Sequence, residues 1–345
     1  MIARPTRADW LLLLALGFMW GTSYVFIRLG VETLGTFTLI AARLGIGLAL
    51  LATVVLLARE PLPRNPRIYG HLVVMAVVNI VLPFALITTA ERSVDSNLAA
   101  IINGSVPLFV IFFAALFLHD EPLTVNRLGG LVIGYLGVII LVSKSLFEGG
   151  STPSSISAEL ALVGSAIAYG AGAVYARRNV RGLRPMIPAL FQVGFAFVIV
   201  AAIALVMEDP FVGWEASSDS LIPGLPNAIF AVVWLGLLGS GFAYLANFRL
   251  LSRIGATRTS LVAYLLPVVG IVSGALMFNE QVDGRLIGGT ILILAGVALV
   301  NSHRGQRRLF GRTAPVPAAA SVSPAPATTA DDGPEPGAIA EETRS

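Results

Sequence analysis

Cysteine is absent from this chain of 345 residues, and charged residues are scarce. Without cysteine the protein can form neither disulfides nor thiolate metal sites, and it has no cysteine nucleophile. Only 12% of the residues are charged, whereas 56% are apolar and the mean hydropathy is +0.82. Because about a quarter of the residues in a typical soluble domain are charged, this composition predicts that lipid surrounds most of the chain.

Apolar runs long enough to cross about 30 Å of hydrocarbon recur along the sequence. Since lipid offers the backbone no hydrogen-bond partner, each run is predicted to form a helix. We therefore predict an all-α integral membrane protein with ten transmembrane helices. Their approximate ranges are 9–29, 36–58, 68–90, 96–118, 125–143, 158–178, 186–207, 227–249, 257–277 and 284–302.

Acids and histidines are missing from the middle of these spans. Asp and Glu outside the C-terminal tail lie in loops or at span ends, and the three histidines lie at span ends or beyond them. An intramembrane enzyme needs a nucleophile with its base, or a cluster of metal ligands, at membrane depth. We therefore predict no enzymatic activity, no catalytic residue, no metal site and no cofactor. Likewise, the sequence gives no support to proton coupling through a buried carboxylate.

The basic residues lie mostly in alternate loops. If the N-terminus is cytoplasmic, seventeen lysines and arginines fall inside, and only Arg28, Arg92, Lys144 and Arg285 fall outside. Positive charge resists translocation, so both termini are predicted to be cytoplasmic, with the protein in the cell (plasma or inner) membrane. This placement in short loops also argues against nucleic-acid binding, despite an isoelectric point of about 9.5.

One unit of sequence occurs twice. Pro107 is followed by Glu121 and the pair Gly129-Gly130, and Pro267 is followed by Glu280 and Gly288-Gly289 with the same separation between acid and glycines. Such self-similarity indicates an internal duplication. Because each copy holds five spans, an odd number, the second copy must enter the membrane inverted. Inverted repeats with a site between them are a common design of secondary transporters.

Three regions follow from this interpretation. Residues 1–145 form the first five-helix repeat, and residues 157–302 form the second, inverted repeat. Residues 303–345 are rich in Ala, Pro, Ser and Thr, which predicts a disordered cytoplasmic tail.

The order of short motifs in the two halves resembles the EamA-like family of the drug/metabolite transporter (DMT) superfamily. The motifs are Trp20-Gly21-Thr22-Ser23, Ala42-Arg43, Ser96-Asn97-Leu98-Ala99 before Pro107, Asp120-Glu121-Pro122-Leu123, Ser165 to Tyr169, and Thr257 to Ser260 before Pro267. The resemblance implies a ten-span carrier of small metabolites, often an exporter of amino acids, drugs or other solutes. It does not identify the cargo.

Arg43 is the most informative single residue, because it lies about seven residues inside the second span. A charge at that depth costs at least about 2–3 kcal/mol unless it pairs, faces water or snorkels to the surface. One hypothesis is a cavity cation that attracts an anionic group of the solute. The other is a snorkelling arginine paired with Glu32. The matching position in the second half is Gln192.

Other polar and aromatic residues at membrane depth could line a central cavity or simply be satisfied within the bundle. These candidate substrate-binding residues are Trp20, Thr22, Tyr24, Asn79, Asn103, Tyr169, Tyr175, Gln192, Trp234, Tyr244 and Tyr264. Pro83, Pro107 and Pro267 interrupt apolar helices, which would suit gating, although packed membrane helices also tolerate proline.

The glycine pairs predict close docking of helices, either within the chain or between protomers of a homodimer. We thus predict a secondary transporter that moves a small metabolite by alternating access. Its expected partners are the small-molecule substrate and the lipid bilayer, together with a second copy if the glycines dock between chains. A non-transporting membrane receptor or assembly partner is the alternative.

The inverted topology makes a direct prediction. In the cysteine-free chain, a membrane-impermeant maleimide added outside intact cells should label Ser151→Cys but not Ile2→Cys or Ser321→Cys. Permeabilised cells should show labelling at all three positions. Labelling of Ser151→Cys and Ile2→Cys from the same face would contradict the inversion.

Overall fold

Helices make up the fold in the computed structural model, which describes residues 5–118, 124–147, 153–180, 182–184, 186–215, 220–222 and 224–301. Eight helices in this part of the chain are long and apolar enough to cross a membrane, and two further apolar helices are shorter. In chain order they are α1 Arg7–Val31, α2 Thr36–Leu57, α3 Pro66–Ala90, α4 Ser96–Phe117, α5 Val125–Val142, α6 Ile156–Asn179, α7 Met186–Met207, α8 Asn227–Asn247, α9 Val262–Phe278 and α10 Gly284–Val300. The expected tail at 303–345 and the residues Asp120 and Glu121 lie outside the described residues.

Large apolar side chains cover much of the outer surface. Leu57, Val206 and Leu276 are 80%, 85% and 79% exposed, respectively. A protein in water would lose stability by leaving such side chains uncovered, whereas lipid accommodates them. The surface therefore agrees with the composition in placing the helices in a bilayer.

Two helices contain a π-helical segment, and the segments fall at matching places in the two halves. They are Val77–Val81 within α3 and Leu235–Phe242 within α8. In α3 the segment directly precedes Pro83, which cannot donate a hydrogen bond to the carbonyl of Asn79. In α8 the segment is rich in glycine. Such segments are often found at functional sites.

Proline has a different effect in α4 and α9. Helix α4 consists of Ser96–Asn103 and Val106–Phe117, separated at Gly104 and Ser105. Pro107 therefore lies in the first turn of a new helical segment, where its missing N–H costs little. Pro267 lies inside the continuous helix α9 and packs against Gly104, where a Cβ would lie 2.6 Å from the proline Cγ.

The helices of the two halves interlock. Helices α2, α4 and α5 pack along α7, α9 and α10, respectively. In addition, α3 packs on α6 and α7, while α8 packs on α1 and α2. Each half therefore completes the other, and side chains from both halves meet in the interior.

Glycines bring α5 and α10 into backbone contact. A Cβ on Gly296 would lie 2.6 Å from the carbonyl oxygen of Gly130, and a Cβ on Gly137 would lie 2.8 Å from that of Gly289. These glycines thus dock two helices of one chain. Docking between protomers is not needed to explain them, and the homodimer stays a prediction.

This contact predicts a contrast between two glycines of α10. Gly296→Ala should destabilise the protein by about 1–3 kcal/mol, because the new methyl group would meet backbone atoms that cannot move aside. Gly288→Ala should be neutral or stabilising by up to about 1 kcal/mol, since a Cβ there has no atom within 4 Å. Melting temperatures of the purified variants in detergent test this. Equal melting temperatures for Gly296→Ala and Gly288→Ala would contradict a tight backbone contact between α5 and α10.

Candidate functional site

Arg43 lies inside the bundle, with 3% of its surface exposed. Its Nε is 3.4 Å from Ser240 Oγ in the π-helical segment of α8. Its guanidinium carbon is 4.3 Å from the centre of the Phe84 ring on α3, a distance at which the ring face attracts a cation. Glu32, the partner in the snorkelling hypothesis, is exposed. The guanidinium is therefore an interior group, as the cavity hypothesis requires.

Small residues allow α2 and α8 to approach closely around this cation. A Cβ on Gly47 would lie 2.7 Å from Ser240 Cβ, and a Cβ on Gly236 would lie 2.6 Å from Ile46 Cβ. Gly239 faces the cation directly, because a Cβ there would lie 3.3 Å from Arg43 Nη2. The glycine-rich π-helical segment thus provides the space in which the guanidinium fits.

Three of the candidate tyrosines lie in the neighbourhood of Arg43. Tyr24 on α1, Tyr169 on α6 and Tyr244 on α8 all lie close enough to interact electrostatically with the guanidinium. They come from both halves of the chain, because the interlocked packing brings α1, α6 and α8 to the same place. A cation beside three phenol groups can bind a small molecule that carries an anionic group and hydrogen-bonding atoms.

Two tryptophans border this group. Trp20 Nε1 donates to the carbonyl oxygen of Gly239 at 3.2 Å, and its ring lies edge-on to Tyr244. Trp234 Nε1 donates to Thr22 Oγ1 at 3.2 Å, and its ring stacks on Phe26 with 4.4 Å between centroids. The indole N–H groups are therefore occupied within the protein, so these residues offer ring surfaces to a ligand.

Three other candidate substrate-binding residues lie on α4, α3 and α7. Asn103 donates from Nδ2 to the carbonyl oxygen of Ala99 at 3.1 Å, and its Oδ1 accepts from Ser165 Oγ at 3.0 Å. It therefore joins α4 to α6. Asn79 packs directly against Gly172 of α6. Gln192 is buried, and its Oε1 has no hydrogen-bond partner in the described part of the chain.

Tyr175 lies near the end of the bundle where α3 begins and α6 ends, which we call the Tyr175 end. Its hydroxyl is 2.8 Å from His71 Nδ1. It also lines a cavity of about 550 Å³ between α4 and α6. The other lining residues are Phe113, Phe117, Ala171, Val174, Arg178 and Asn179. Tyr264, by contrast, packs against the main hydrophobic core.

Glu91 is the residue that sequence reasoning missed. It follows the last residue of α3, at the opposite end of the bundle, which we call the Glu91 end. The side chain is 0% exposed, and neither carboxyl oxygen has a hydrogen-bond partner in the described part of the chain. Burial raises the pKa of the Glu91 carboxyl well above its ordinary value, with a further contribution from Glu280. Glu91 lies at a span end, as the sequence analysis placed all such acids, but its side chain is buried.

A helical pattern could have revealed Glu91. Phe84, Thr88 and Glu91 follow one another at spacings of four and three residues, so they share one face of α3. On this face the ring of Phe84 contacts the guanidinium of Arg43, and Thr88 is buried. The sequence alone does not show that this face turns inward at the very end of the helix.

Two other carboxylates cap the first turns of helices at the Glu91 end. Glu280, which follows α9, accepts hydrogen bonds from the backbone N–H groups of Ser96 and Asn97 at 2.8 and 2.9 Å. Glu208, which follows α7, accepts from those of Phe37 and Thr38 at 3.0 and 2.8 Å. Each therefore neutralises the unpaired N–H groups at the start of a membrane helix. Together they bind the ends of α7 and α9 to the starts of α2 and α4.

The fold and the site define a multi-pass membrane protein with a cationic, aromatic site enclosed between its helices. Within the described residues, no group of three or more His, Asp or Glu side chains could hold a metal ion. The family model of the EamA-like transporter family matches residues 9–143 and again residues 156–302. The chain belongs to this family of membrane transporters, which confirms the resemblance in the motifs.

Similar proteins come from bacteria and plants. The uncharacterized inner membrane transporter YedA of Escherichia coli K12 is 28% identical over 82% of this chain and 90% of its own. The uncharacterized transporter YoaV of Bacillus subtilis is 21% identical over 86% and 97%. A WAT1-related chloroplastic protein of Arabidopsis thaliana is 26% identical over 87% and 71%.

A solved crystal structure has the same fold. It matches with a TM-score of 0.59 and 20% identity, and the match covers 86% of this chain and 96% of the other.

Proposed function

We propose that the protein is a DMT-type secondary transporter that moves a small organic solute across the cell membrane by alternating access. The observation that carries the proposal is Arg43, a buried cation enclosed by tyrosines from both halves. The preferred cargo carries an anionic group, such as the carboxylate of an amino acid or a related organic solute, and the proposed direction is export. Arg43 would attract this group, while the tyrosines and the faces of Trp20 and Trp234 would contact the remainder.

Alternating access requires two halves of opposite orientation, and several contacts support this arrangement. The family match covers the chain in two successive parts. Helix α2 begins and α7 ends at the Glu91 end, where Glu208 joins them. Likewise α4 begins and α9 ends there, joined by Glu280. The opposite directions of these two helix pairs support an inverted arrangement of the halves.

The positions of the loop arginines support an orientation of the two ends of the bundle in the membrane. With both termini cytoplasmic, as the loop arginines indicate, the Glu91 end faces outward and the Tyr175 end faces the cytoplasm. The two capping carboxylates hold the outward end closed, while the cavity beside Tyr175 lies at the cytoplasmic end. In this conformation we expect solute to enter from the cytoplasm, as an exporter requires.

A thermal-shift screen tests the binding role of Arg43. Amino acids, organic acids and amines are added to the purified wild type, Arg43→Ala and Arg64→Ala, the last removing an exposed arginine between α2 and α3. Carboxylates should raise the melting temperature of the wild type and Arg64→Ala, since a ligand at about 100 times its Kd stabilises by about 2.7 kcal/mol. The shift should vanish in Arg43→Ala. Arg43→Gln, which keeps much of the side-chain volume, replaces Arg43→Ala if that variant fails to fold.

Transport itself is tested in proteoliposomes with radiolabelled members of the same panel. Time-dependent uptake of a stabilising carboxylate, lost in the Arg43 variant, would support the proposal. An equal thermal shift with and without Arg43 would remove this residue from the site. Failure of the whole panel to cross the membrane would favour a receptor or assembly partner.

A further inference from the structure

Glu91 is the one acid in the described residues whose two carboxyl oxygens are both buried without a partner. Thr88 Oγ1, one helical turn away on the same face of α3, also has no partner. A buried polar atom without a hydrogen bond costs free energy, and a buried charge costs more. The site is therefore poorly suited to a carboxyl group that stays ionised, and the burial of Glu91 needs a physical explanation.

The charged and titratable groups around Glu91 come from three elements. Arg28 and Tyr24 lie on α1, Arg43 lies on α2, and Glu280 follows α9. Arg28 donates from Nη1 to the carbonyl oxygens of Glu91 and Val94, at 2.8 and 2.9 Å. Its guanidinium therefore hydrogen-bonds backbone carbonyls at this end of the bundle, and residue 28 acts on the Glu91 carboxyl through its charge and its backbone, both of which favour ionisation.

The remaining neighbours act on Glu91 in opposite directions, since Arg43 favours ionisation and Glu280 favours a proton. Arg43 directs its Nε to Ser240, so it supplies positive charge to Glu91 only at a distance. Glu280 accepts three hydrogen bonds, from two backbone N–H groups and the Ser96 hydroxyl, which is the environment of an ionised carboxylate. Its negative charge opposes a second one nearby. Burial and Glu280 thus outweigh the two arginines.

We propose that Glu91 is a proton-binding site, protonated while the Glu91 end is closed and ionised when that end opens to water. On opening, the carboxyl O–H bond breaks and the proton passes to water, which then solvates the carboxylate. Closing buries the group again and takes up a proton from the same side. This inference deepens and rests on the proposed function, because it makes opening of the carrier at the Glu91 end depend on the pH of that side.

The first test measures proton binding without any solute. Melting temperatures of the purified wild type, Glu91→Gln and Glu32→Gln, an exposed acid, are followed from about pH 5 to about pH 9, where an ordinary glutamate is ionised throughout. A carboxyl with a raised pKa binds more protons folded than unfolded, so its stabilisation is lost as pH rises through the folded-state value. The wild type and Glu32→Gln should therefore lose at least about 2 °C relative to Glu91→Gln across this range. Parallel curves for the three proteins would overturn the proposal.

If Glu91→Gln does not fold, infrared difference spectroscopy tests whether Glu91 is protonated. The wild type and Glu91→Asp, which keeps a carboxyl group, are compared during a pH titration. A band of a protonated carboxyl group that persists at neutral pH and shifts position in Glu91→Asp supports the proposal. Absence of such a band in the wild type overturns it.

The second test links the proton to opening of the Glu91 end. A single cysteine replaces Leu98, which is buried there, or Ser93, which is exposed there and corrects for thiol reactivity. Relative to Ser93→Cys, labelling of Leu98→Cys by an impermeant maleimide should accelerate severalfold as pH rises, because ionisation favours the open end. In the Glu91→Gln background it should stay slow at every pH. A pH-dependent rate that survives in Glu91→Gln would contradict the link.

Neither test needs a transported solute, so the two proposals can fail separately. Proton binding at Glu91 without transport of any solute would support the proton-binding site and contradict the transport proposal. Transport with parallel melting curves would leave the carrier and remove the proton site.

Discussion

The structure depends on holding a guanidinium inside a protein that lipid surrounds. Moving Arg43 out of water is costly, and the cost is offset only where the protein supplies compensating groups. Ser240 and the Phe84 ring supply such groups, and the tyrosines of α1, α6 and α8 lie nearby. The glycines of the π-helical segment in α8 make room for the cation. The glycine-rich π-helical segment and the groups that contact Arg43 thus hold the cation inside the bundle.

This arrangement also explains why the two halves must interlock. The groups near Arg43 come from α1, α3, α6 and α8, which belong to both parts of the chain that the family model matches. The backbone contact between α5 and α10 holds the halves together at glycines, away from the site. The capping carboxylates Glu208 and Glu280 join the halves at one end through hydrogen bonds that water can replace. The proposed alternating access requires such a combination of a close contact at one place and an exchangeable one at another.

Much of this could be predicted from the sequence, because hydropathy and the repeated motifs depend on composition and spacing alone. The all-helical membrane fold and the family follow from such features, whereas the sequence left Arg43 between an interior position and a snorkelling one. The roles of Asn103 and Glu91 could not be predicted, since they depend on which face of a helix meets which neighbour. Asn103 could have lined a cavity or bonded a neighbouring helix, and it bonds Ser165 on α6, a contact between residues far apart in sequence. Glu91 lies at a span end, where the sequence does not show whether a side chain is covered, and in the structure it is fully buried.

The central claim is that Arg43 and Glu91 share one enclosed electrostatic environment, and a double-mutant cycle tests it most directly. Free energies of unfolding in SDS are measured for the wild type, Arg43→Gln, Glu91→Gln and the double variant, at about pH 5 and about pH 9. If Glu91 ionises across this range, the coupling energy should be small at the lower pH and reach about 0.5–3 kcal/mol at the higher. Additive effects at both pH values would contradict the account, because they would show that the two side chains do not sense each other's charge.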